Sequence, residues 1–394
     1  MPCGVGAIAS AVMRILGADL ATNRRRTSVK WRAFPPEVIP LWVAEMDALL
    51  APAVVAEVQD LVARGDTGYP WPAPYVEAFA AFADRLWGWS VDPGQVRVVT
   101  DVMVGMEELT RILLPSGGRV IVDDPVYDAF PLHAEAVRRD LERVPLTVRG
   151  RLDLDALDAA FARARRDGIP AVYWLCNPQN PTGTVHRREE LASLAEIASV
   201  HGVRILSDEI HAPLSLDHAE FVPYLTVDAR AFTATSPSKS FSLAGLKAGL
   251  VVSGEEAPEL AELHPVASYA ASHVAVRAHT AAYRDGGEWL DQVRVEIEDN
   301  RRLLASFLAE RLPAVGWRPP RATYLAWLDV SRLGLGARPA HTLRTQAKVA
   351  LAEGTGYGPS RRGHVRLNLA TSPPILIEAL ERIGDLVERG PRES

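Results

Sequence analysis

Cysteine is almost absent from this chain of 394 residues, which contains only Cys3 and Cys176. The two cysteines lie far apart and have no metal-ligand spacing, which argues against a disulfide framework and against a cysteine-based metal site. We expect Cys176 to be a packed strand residue. A chain with so little cysteine suits a reducing compartment, and we therefore expect it to work in the cytoplasm.

Long apolar runs and a strongly basic face are also missing. Residues 5–20 are fairly apolar, but Arg14 interrupts them and no basic region precedes them, which argues against a signal peptide or a membrane span. We expect a short helix or a flexible arm there. The formal net charge is -6, and this balance gives no reason to expect nucleic acid as a partner. A small molecule is therefore the expected ligand.

The length of the chain predicts a large domain and a smaller one, because 394 residues exceed what one small core organises. Short apolar runs alternate with longer amphipathic segments between residues 96 and 252. This alternation predicts an α/β fold in which helices cover both faces of a mainly parallel, doubly wound sheet. The predicted strands are 96–99, 119–123, 171–175, 203–207, 231–234 and 249–252, and the helices between them include 154–166 and 188–200.

The second domain is predicted to begin near Gly286. A helical pattern covers residues 289–312, an alternating strand follows at 323–330, and a further helix covers 373–389. We expect the last helix to pack on this second domain.

Three chemically useful side chains follow successive apolar segments: Asn180, Asp208 and Lys239. In a parallel sheet the loops that leave the carboxyl ends of the strands meet at one edge, so these side chains are expected to converge. A lysine amine forms an imine with the aldehyde of pyridoxal phosphate, and an aspartate keeps the pyridine nitrogen protonated. Lys239, one of only four lysines, taken alone fits a surface lysine better, but the three motifs together favour a pyridoxal phosphate site.

The phosphate of such a cofactor would need donors at a helix N-terminus. The segment 100–105 joins a predicted strand to a predicted helix at 106–114, and Val102 and Met103 are the candidate backbone donors. An ordinary strand-helix turn explains this segment equally well. Ser236, Ser238 and Lys247 strengthen the phosphate hypothesis, because hydroxyls and a cation suit a dianion, although Lys247 also fits a solvated charge.

Three further residues are candidates for the site, and two of them also have a purely structural interpretation. Tyr127 follows a predicted strand and could stack on a planar cofactor and transfer protons, or could be a core tyrosine. His211 could contact the cofactor or orient Asp208, or could be purely structural. Arg366 lies in a short alternating segment, and its guanidinium suits a bidentate contact with a substrate carboxylate. Its position alone does not distinguish it from the other arginines.

The chain resembles the fold-type I pyridoxal-phosphate enzymes of the aminotransferase class I/II superfamily, and within them the cystathionine beta-lyase (C-S lyase) branch related to MalY and PatB. The resemblance covers nearly the whole chain after Thr27. Its motifs are the segments 28–31, 42–47, 68–70, 177–183, 207–211, 236–239, 323–329, 356–358 and 366–368.

The resemblance implies a seven-stranded large domain (56–285) and a small α+β domain built from an N-terminal segment (1–55) and the C-terminal part (286–394). It also implies a role for individual residues. Lys239 would be the Schiff-base lysine, Asp208 the pyridinium partner and Asn180 the amide at the phenolate oxygen, while Tyr127 would stack on the ring and Arg366 would clamp the substrate carboxylate.

The family builds each site from two chains, which implies a homodimer in which Tyr69 reaches the phosphate of the neighbouring subunit. Val43, Ala44 and Trp71 would lie near the mouth of the pocket and contact the substrate. His211 stands where many aminotransferases carry a tyrosine, which favours the lyase branch.

Two segments depart from the branch. It has Asp-Met-Asp-Phe where this chain has Glu45-Met46-Asp47-Ala48, and a different phosphate loop in place of residues 101–105. These departures bear on the substrate and not on the cofactor, and they point to a bulkier cysteine conjugate in place of cystathionine. We therefore expect a carbon-sulfur beta-lyase that cleaves cystathionine or another cysteine S-conjugate to a thiol, pyruvate and ammonia. The alternatives are an aminotransferase, a decarboxylation-coupled deaminase of a cysteine conjugate, and a regulatory module without turnover.

Overall fold

The computed structural model describes residues 14–115, 117–216 and 219–391. Most of the helix or arm expected at residues 5–20 lies outside these residues. The strands of the described part are β1 (Ile39–Pro40), β2 (Val96–Val99), β3 (Arg119–Asp124), β4 (Asp140–Pro145), β5 (Ala171–Cys176), β6 (Arg204–Asp208), β7 (Phe232–Thr235), β8 (Gly249–Ser253), β9 (Gly316–Trp317), β10 (Leu325–Asp329), β11 (Val349–Ala350), β12 (Ala352–Glu353) and β13 (His364–Asn368).

The helices connect and cover these strands. They are α1 (Leu20–Arg24), α2 (Val29–Arg32), α3 (Pro52–Arg64), α4 (Ala73–Trp87), α5 (Val102–Leu113), α6 (Phe130–Ala136), α7 (Leu154–Arg166), α8 (Arg188–His201), α9 (Val266–Tyr269), α10 (His273–Asp285), α11 (Gly287–Arg311), α12 (Pro339–Thr342) and α13 (Pro373–Arg389). A π-helical turn, Leu343–Ala347, follows α12.

The large sheet has seven strands in the order β2-β8-β7-β6-β5-β3-β4. Strand β8 alone runs in the direction opposite to the other six strands, so the sheet is mainly parallel, as predicted. Alternate residues of β5 explain why its sequence is continuously apolar. Tyr173 and Leu175 pack with α7 and α8, whereas Val172 and Trp174 pack with α5 and α6 on the other face. A strand buried on both faces shows no polar alternation.

A second sheet of four antiparallel strands, in the order β12-β13-β10-β9, lies in the C-terminal part of the chain. The short strand β1 pairs in parallel with β11, which ties the N-terminal segment to this part. Helices α11 and α13 contact each other beside this sheet, and residues of both share a core with β10 and β13.

The fold class is confirmed: an α/β large domain with a smaller α+β domain. The proposed boundaries at residues 55 and 285 stay predictions. Strand β4 was missed, and α5 begins at Val102, four residues before the predicted start. No helix of the described residues is long and apolar enough to cross a membrane.

Candidate active site

A cavity opens where β5, β6 and β7 end, and it collects most of the predicted site residues. Asn180, Asp208 and Lys239 all line it, as expected for loops at the carboxyl ends of neighbouring parallel strands. The other lining residues are Ala44, Asp101, Val102, Met103, Tyr127, Cys176, Ile210, His211, Ser238, Ala244 and Lys247.

Lys239 is the lysine that was predicted to form the imine with the cofactor, and it lines this cavity. Its Nζ donates a hydrogen bond of 3.1 Å to the carbonyl oxygen of Ala44. Burial lowers the pKa of Lys239 to about 8, and the charges of Arg366 and Lys247 act in the same direction. The neutral amine, which is the nucleophilic form, is therefore easier to reach than in an exposed lysine.

Asp208 ends β6, beside Cys176 of β5. Its Oδ1 accepts a hydrogen bond of 3.1 Å from the backbone N–H of Ile210, which fixes the carboxylate. Burial raises the pKa of Asp208 to about 7, although that bond and the nearby Lys239 favour the ionised form. A cation placed against Asp208, such as a protonated pyridine nitrogen, would favour the charged carboxylate further.

Asn180 and Arg366 form one hydrogen-bonded unit. Arg366 Nη1 donates to Asn180 Oδ1 over 3.1 Å, and Nη2 donates to the carbonyl oxygen of Trp42 over 3.3 Å. The guanidinium lies over the ring of Tyr357, 4.7 Å from its centroid. Since the oxygen of Asn180 accepts from Arg366, the amide N–H groups of Asn180 remain available as donors.

Arg366 is only 4% exposed and has no carboxylate partner among the described residues, and its Nε has no hydrogen-bond partner there either. A buried cation of this kind is costly unless an anion joins it. The guanidinium therefore offers a place for a ligand carboxylate beside Asn180.

The N-terminus of α5 also lines the cavity. The amide of Met103 donates to Asp101 Oδ1 over 2.8 Å, and Lys247 Nζ lies 2.6 Å from Asp101 Oδ2. Asp101 therefore already binds two groups that were predicted to hold a phosphate. Val102 and Ser238 also line this end.

Ser236 is not among the residues that line the cavity. Its hydroxyl donates to the carbonyl oxygen of Ala248 over 2.9 Å and accepts from the amide of Ser238. In this structure Ser236 therefore binds Ala248 and Ser238, and its expected contact with the phosphate stays a prediction.

Tyr127 and His211 both line the cavity. The ring of Tyr127 meets that of Phe130 edge to face, with centroids 5.7 Å apart. The buried Nδ1 of His211 has no hydrogen-bond partner in the described part of the chain, so Ile210, and not His211 Nδ1, orients Asp208. Burial, with Lys239 and Arg366, lowers the pKa of His211 to about 3, so this ring is neutral.

Val43 and Ala44, which were expected near the mouth of the pocket, lie close to Lys239. They line a second cavity that also includes Lys239. Asn368 holds this segment by donating to the carbonyl oxygens of Val43 and Glu45, over 2.8 and 2.7 Å.

Tyr69 and Trp71 do not join the site within one chain. They lie between α3 and α4 and are 92% and 71% exposed, and Trp71 lines a separate pocket with Val98 and Ser268. Any contribution of these rings to an active site would have to come from another copy of the chain.

Sequence reasoning missed several residues that shape the site. Asp101 was seen only as part of a loop, although aspartate before a helix is a typical N-cap signal. Tyr324 donates to the carbonyl oxygen of Ala44 over 3.1 Å, the same atom that Lys239 uses. Tyr357 and Asn368 entered the sequence analysis only as members of motifs. A single sequence does not show that the ring of Tyr357 lies under the guanidinium of Arg366, or that Asn368 binds the segment around Val43.

These residues fit pyridoxal phosphate. An amine, a carboxylate, an amide and an aromatic ring surround one cavity that has a helix N-terminus and a lysine at one end. Next to them lie two buried polar atoms without partners in the described part of the chain, Arg366 Nε and His211 Nδ1.

Comparison with known proteins agrees with this geometry. Residues 36–383 match the model of the family described as aminotransferase class I and II. A Mycobacterium leprae protein with the provisional name cystathionine beta-lyase is 44% identical, over 91% of this chain and 94% of its own length. Cystathionine beta-lyase PatB of Bacillus subtilis is 32% identical, over 88% of this chain and 92% of its own.

A solved structure from Corynebacterium diphtheriae, provisionally described as a PLP-dependent beta-cystathionase, superposes with a TM-score of 0.88. It is 31% identical and covers 95% of this chain and 99% of its own. The chain belongs to the aminotransferase class I and II family. The predicted branch, that of the MalY and PatB C-S lyases, is confirmed, as are the enzyme class and pyridoxal 5'-phosphate as the cofactor.

Proposed function

We propose that this enzyme cleaves the carbon-sulfur bond of a cysteine S-conjugate, such as cystathionine, by α,β-elimination. The substrate and water give a thiol, pyruvate and ammonia. The observation that carries this proposal is the buried Arg366 guanidinium without a carboxylate partner in the described residues, placed beside the cavity that contains Lys239 and Asp208.

Bound pyridoxal phosphate supplies an electron-withdrawing ring that stabilises negative charge at the substrate α-carbon. We assign the remaining tasks to individual side chains. Asp208 holds the proton on the ring nitrogen, the Asn180 amide donates to the ring oxygen, and Arg366 orients the substrate through its carboxylate. Tyr127 packs against the ring.

Lys239 acts as the base for the substrate α-proton, which its lowered pKa allows near neutral pH. When the C–S bond breaks, its electron pair leaves with the sulfur. Arg366 fixes the orientation of the substrate in the cavity, and that orientation selects the reaction.

For the phosphate we propose the amides of Val102 and Met103, the hydroxyl of Ser238 and the ammonium of Lys247. The N-terminus of α5 favours an anion, and Lys247 adds a positive charge. Asp101 must give up its bonds to Met103 and Lys247 for the phosphate to take them.

We also propose that the enzyme is a cytoplasmic homodimer with shared sites. The support is the exposure of Tyr69 and Trp71, since two large aromatic rings beside each other are typical of protein interfaces. Tyr69 would contact the phosphate of the partner, and Trp71 would approach its substrate pocket.

A product assay tests the reaction. Purified enzyme loaded with the cofactor is incubated with cystathionine and S-ethylcysteine, with and without 2-oxoglutarate, and thiol, pyruvate and glutamate are measured separately. We expect equal amounts of thiol and pyruvate. Glutamate without thiol would overturn the lyase assignment in favour of aminotransfer, and release of carbon dioxide with each deamination would favour the decarboxylating reaction.

The role of Arg366 is tested in the same assay. Arg366→Gln should raise KM for the amino-acid substrate strongly, because the carboxylate loses its charged partner. Arg362→Gln, an exposed neighbour in sequence, is the matched control and should leave KM unchanged.

A further inference from the structure

The carbonyl oxygen of Ala44 receives two side-chain donors that come from different parts of the chain. One is the Nζ of Lys239 and the other is the hydroxyl of Tyr324, and each lies 3.1 Å from that oxygen. The amine and the hydroxyl are therefore at most twice that distance apart. Lys239 follows β7 of the large sheet, whereas Tyr324 directly precedes β10 of the small sheet.

The Ala44 carbonyl is held in place by the peptide groups around it. Asn368 Nδ2 donates to the carbonyl oxygens of Val43 and Glu45, on either side of Ala44, over 2.8 and 2.7 Å. Ala44 itself is buried. An acceptor whose neighbours are fixed in this way directs a donor such as Lys239 to one position.

A strained residue places Tyr324 against this carbonyl. Thr323 is fully buried and has a φ of 68°, a left-handed conformation that is unfavourable for a β-branched side chain. The amide of Thr323 donates to the carbonyl oxygen of Leu214 over 3.0 Å, and its hydroxyl accepts from the amide of Leu325 over 2.9 Å. Strain of this kind persists where the surroundings hold it, and it is common at functional sites.

The hydroxyl of Tyr324 remains a hydrogen-bond donor over the whole working range of pH. Burial raises the pKa of Tyr324 above its ordinary value; the charge of Arg366 opposes this shift, and Glu45 and Tyr127 add to it. The protonated hydroxyl therefore occupies one of the two lone pairs of the Ala44 carbonyl oxygen at any pH at which the enzyme works.

Sharing one carbonyl has two physical consequences for Lys239. A neutral amine that donates an N–H to a fixed acceptor has its lone pair directed away from that acceptor. A carbonyl oxygen that already accepts from a hydroxyl also binds an ammonium group less strongly, and a weaker bond to the charged form favours the neutral amine. Both consequences suit a base.

We propose that Tyr324 is a positioning residue for Lys239. Its hydroxyl occupies one lone pair of the Ala44 carbonyl and leaves one direction for the amine, so that the lone pair of Lys239 faces the catalytic cavity. Tyr324 acts through Ala44 and not on the reacting atoms. This inference rests on the proposed lyase function and adds a residue to its α-proton step.

The first test separates kcat from KM in the holoenzyme. Tyr324→Phe keeps the ring and removes the hydroxyl, so kcat for pyruvate formation from S-ethylcysteine should fall about tenfold while KM stays within about twofold. Tyr173→Phe is the matched control, because it removes another buried hydroxyl, which donates to Asp123 over 2.5 Å, and neither residue lines the catalytic cavity. This control should leave both constants unchanged.

The second test measures the protonation of Lys239 in the full-length chain without cofactor. Trace acetic anhydride is added at a series of pH values, and peptide mass spectrometry compares acetylation of Lys239 with that of Lys348 at the surface. In Tyr324→Phe the midpoint of Lys239 should rise by about half a pH unit, because the Ala44 carbonyl then binds the ammonium group more strongly.

A stronger donor at the same position gives the opposite expectation. The variant Tyr324→3-fluorotyrosine has a more acidic hydroxyl, so the midpoint of Lys239 should fall below that of the unmodified chain. The charged groups that face Lys239 are Arg366, Lys247, Asp208 and Asp101. All four are the same in the three proteins, so the order of the midpoints reports the hydroxyl. A purely structural role would alter unfolding without producing this order.

Equal midpoints in the three proteins, or a Tyr324→Phe holoenzyme with an unchanged kcat, would overturn the role of Tyr324. If Tyr324→Phe does not fold, the fluorotyrosine variant decides by the direction of its midpoint. Failure of the proposed function gives a different result. If the unmodified enzyme forms no pyruvate from any cysteine conjugate, the lyase proposal fails, whereas cleavage with constant midpoints removes only the role of Tyr324.

Discussion

Burial controls the protonation of the ionisable groups around the catalytic cavity. It lowers the pKa of Lys239 to about 8 and that of His211 to about 3, and it raises the pKa of Asp208 to about 7. All three shifts favour the neutral form, as expected when charge leaves water. A neutral imidazole thus lies beside an amine and a carboxyl group whose pKa values are both close to neutral pH.

The pH dependence of cofactor capture follows from the pKa of Lys239. Only the neutral amine attacks an aldehyde, so the rate at which cofactor-free protein takes up pyridoxal phosphate should rise as the pH passes through about 8 and then level off. Stopped-flow absorbance after mixing measures this rate. Arg366→Gln should move the rise to higher pH, because a positive neighbour is removed. A midpoint near 10.5, the ordinary lysine value, would contradict the account.

Asp101 should weaken cofactor binding. Burial tends to raise its pKa, but the bonds from Lys247 and Met103 hold that pKa below its usual value, so the side chain is charged. The substitution Asp101→Asn removes a negative charge near the phosphate and keeps a side-chain oxygen that can cap the helix. The dissociation constant of pyridoxal phosphate should fall about fivefold, which corresponds to about 1 kcal/mol of repulsion at a partly exposed site.

Fluorescence titration measures that constant. Asp153→Asn is the matched control, because Asp153 caps α7 in the same way, by accepting from Ala156, but does not line the cavity. Weaker binding by Asp101→Asn would mean that the carboxylate serves the phosphate by positioning Lys247.

At the scale of elements, the segment from α2 to α3 holds Lys239 in place. Lys30 Nζ and Asp47 Oδ2 lie 2.9 Å apart, and both side chains are fully buried. Trp31 Nε1 donates to the other oxygen of Asp47 over 2.8 Å. This ion pair fixes the backbone around Ala44, whose carbonyl oxygen receives Lys239 and Tyr324.

Lys30→Met should lower the free energy of unfolding by about 3–5 kcal/mol, because Asp47 is left charged and buried without its cation. Urea unfolding measures the change. Lys348→Met is the control: Lys348 is half-exposed and 4.0 Å from Glu37, and an exposed pair contributes about 0–1 kcal/mol. Equal effects of the two substitutions would show that the buried pair does not stabilise this segment.

The central strands were predictable because burial on both faces leaves an apolar run in the sequence. Strand β4 was not predictable in this way, because it lies at the edge of the sheet and pairs only with β3. Its sequence, Asp140–Pro145, is largely charged and only Val144 in it is buried. Edge strands commonly carry charge, so a search for apolar runs overlooks them.

The start of α5 was placed too late for a different reason. Apolar spacing indicates a helix from Met106, but the helix begins at Val102 because Asp101 caps the amide of Met103. The Met103 amide, which was predicted to donate to the phosphate, therefore already donates to Asp101. The hydroxyl of Ser236 likewise already donates to the carbonyl oxygen of Ala248. Residue type predicts which groups suit a phosphate, but only the fold shows which of them already have partners.

At the scale of the whole molecule, the site depends on both sheets. Lys239 and Asp208 follow strands of the large sheet, whereas Arg366 lies on β13 of the small one, opposite Trp327 of β10. Asn180 and Arg366 join the two parts through one hydrogen bond. The carboxylate contact proposed for Arg366 therefore depends on how the two parts of the chain are arranged.

Shared sites in a homodimer are tested by mixing two defective chains. Lys239→Ala removes the base, and Tyr69→Ala removes the side chain proposed to act in the neighbouring site. In a mixed dimer one site carries both defects and the other carries neither. Co-expressed chains should therefore recover about a quarter of the pyruvate-forming activity of unmodified enzyme. Full activity of Tyr69→Ala alone, or no recovery in purified mixed dimers, would contradict the arrangement.

The central claim is that Lys239 binds the cofactor between Asp208 and Asn180, and the position of covalent attachment tests it most directly. The chain has only four lysines, so reduction of the loaded enzyme with borohydride, followed by peptide mass spectrometry, gives an unambiguous answer. We predict a pyridoxyl phosphate label on Lys239 and none on Lys30, Lys247 or Lys348. A label on any of those three, or an unlabelled Lys239 in enzyme that has bound the cofactor, would contradict the account.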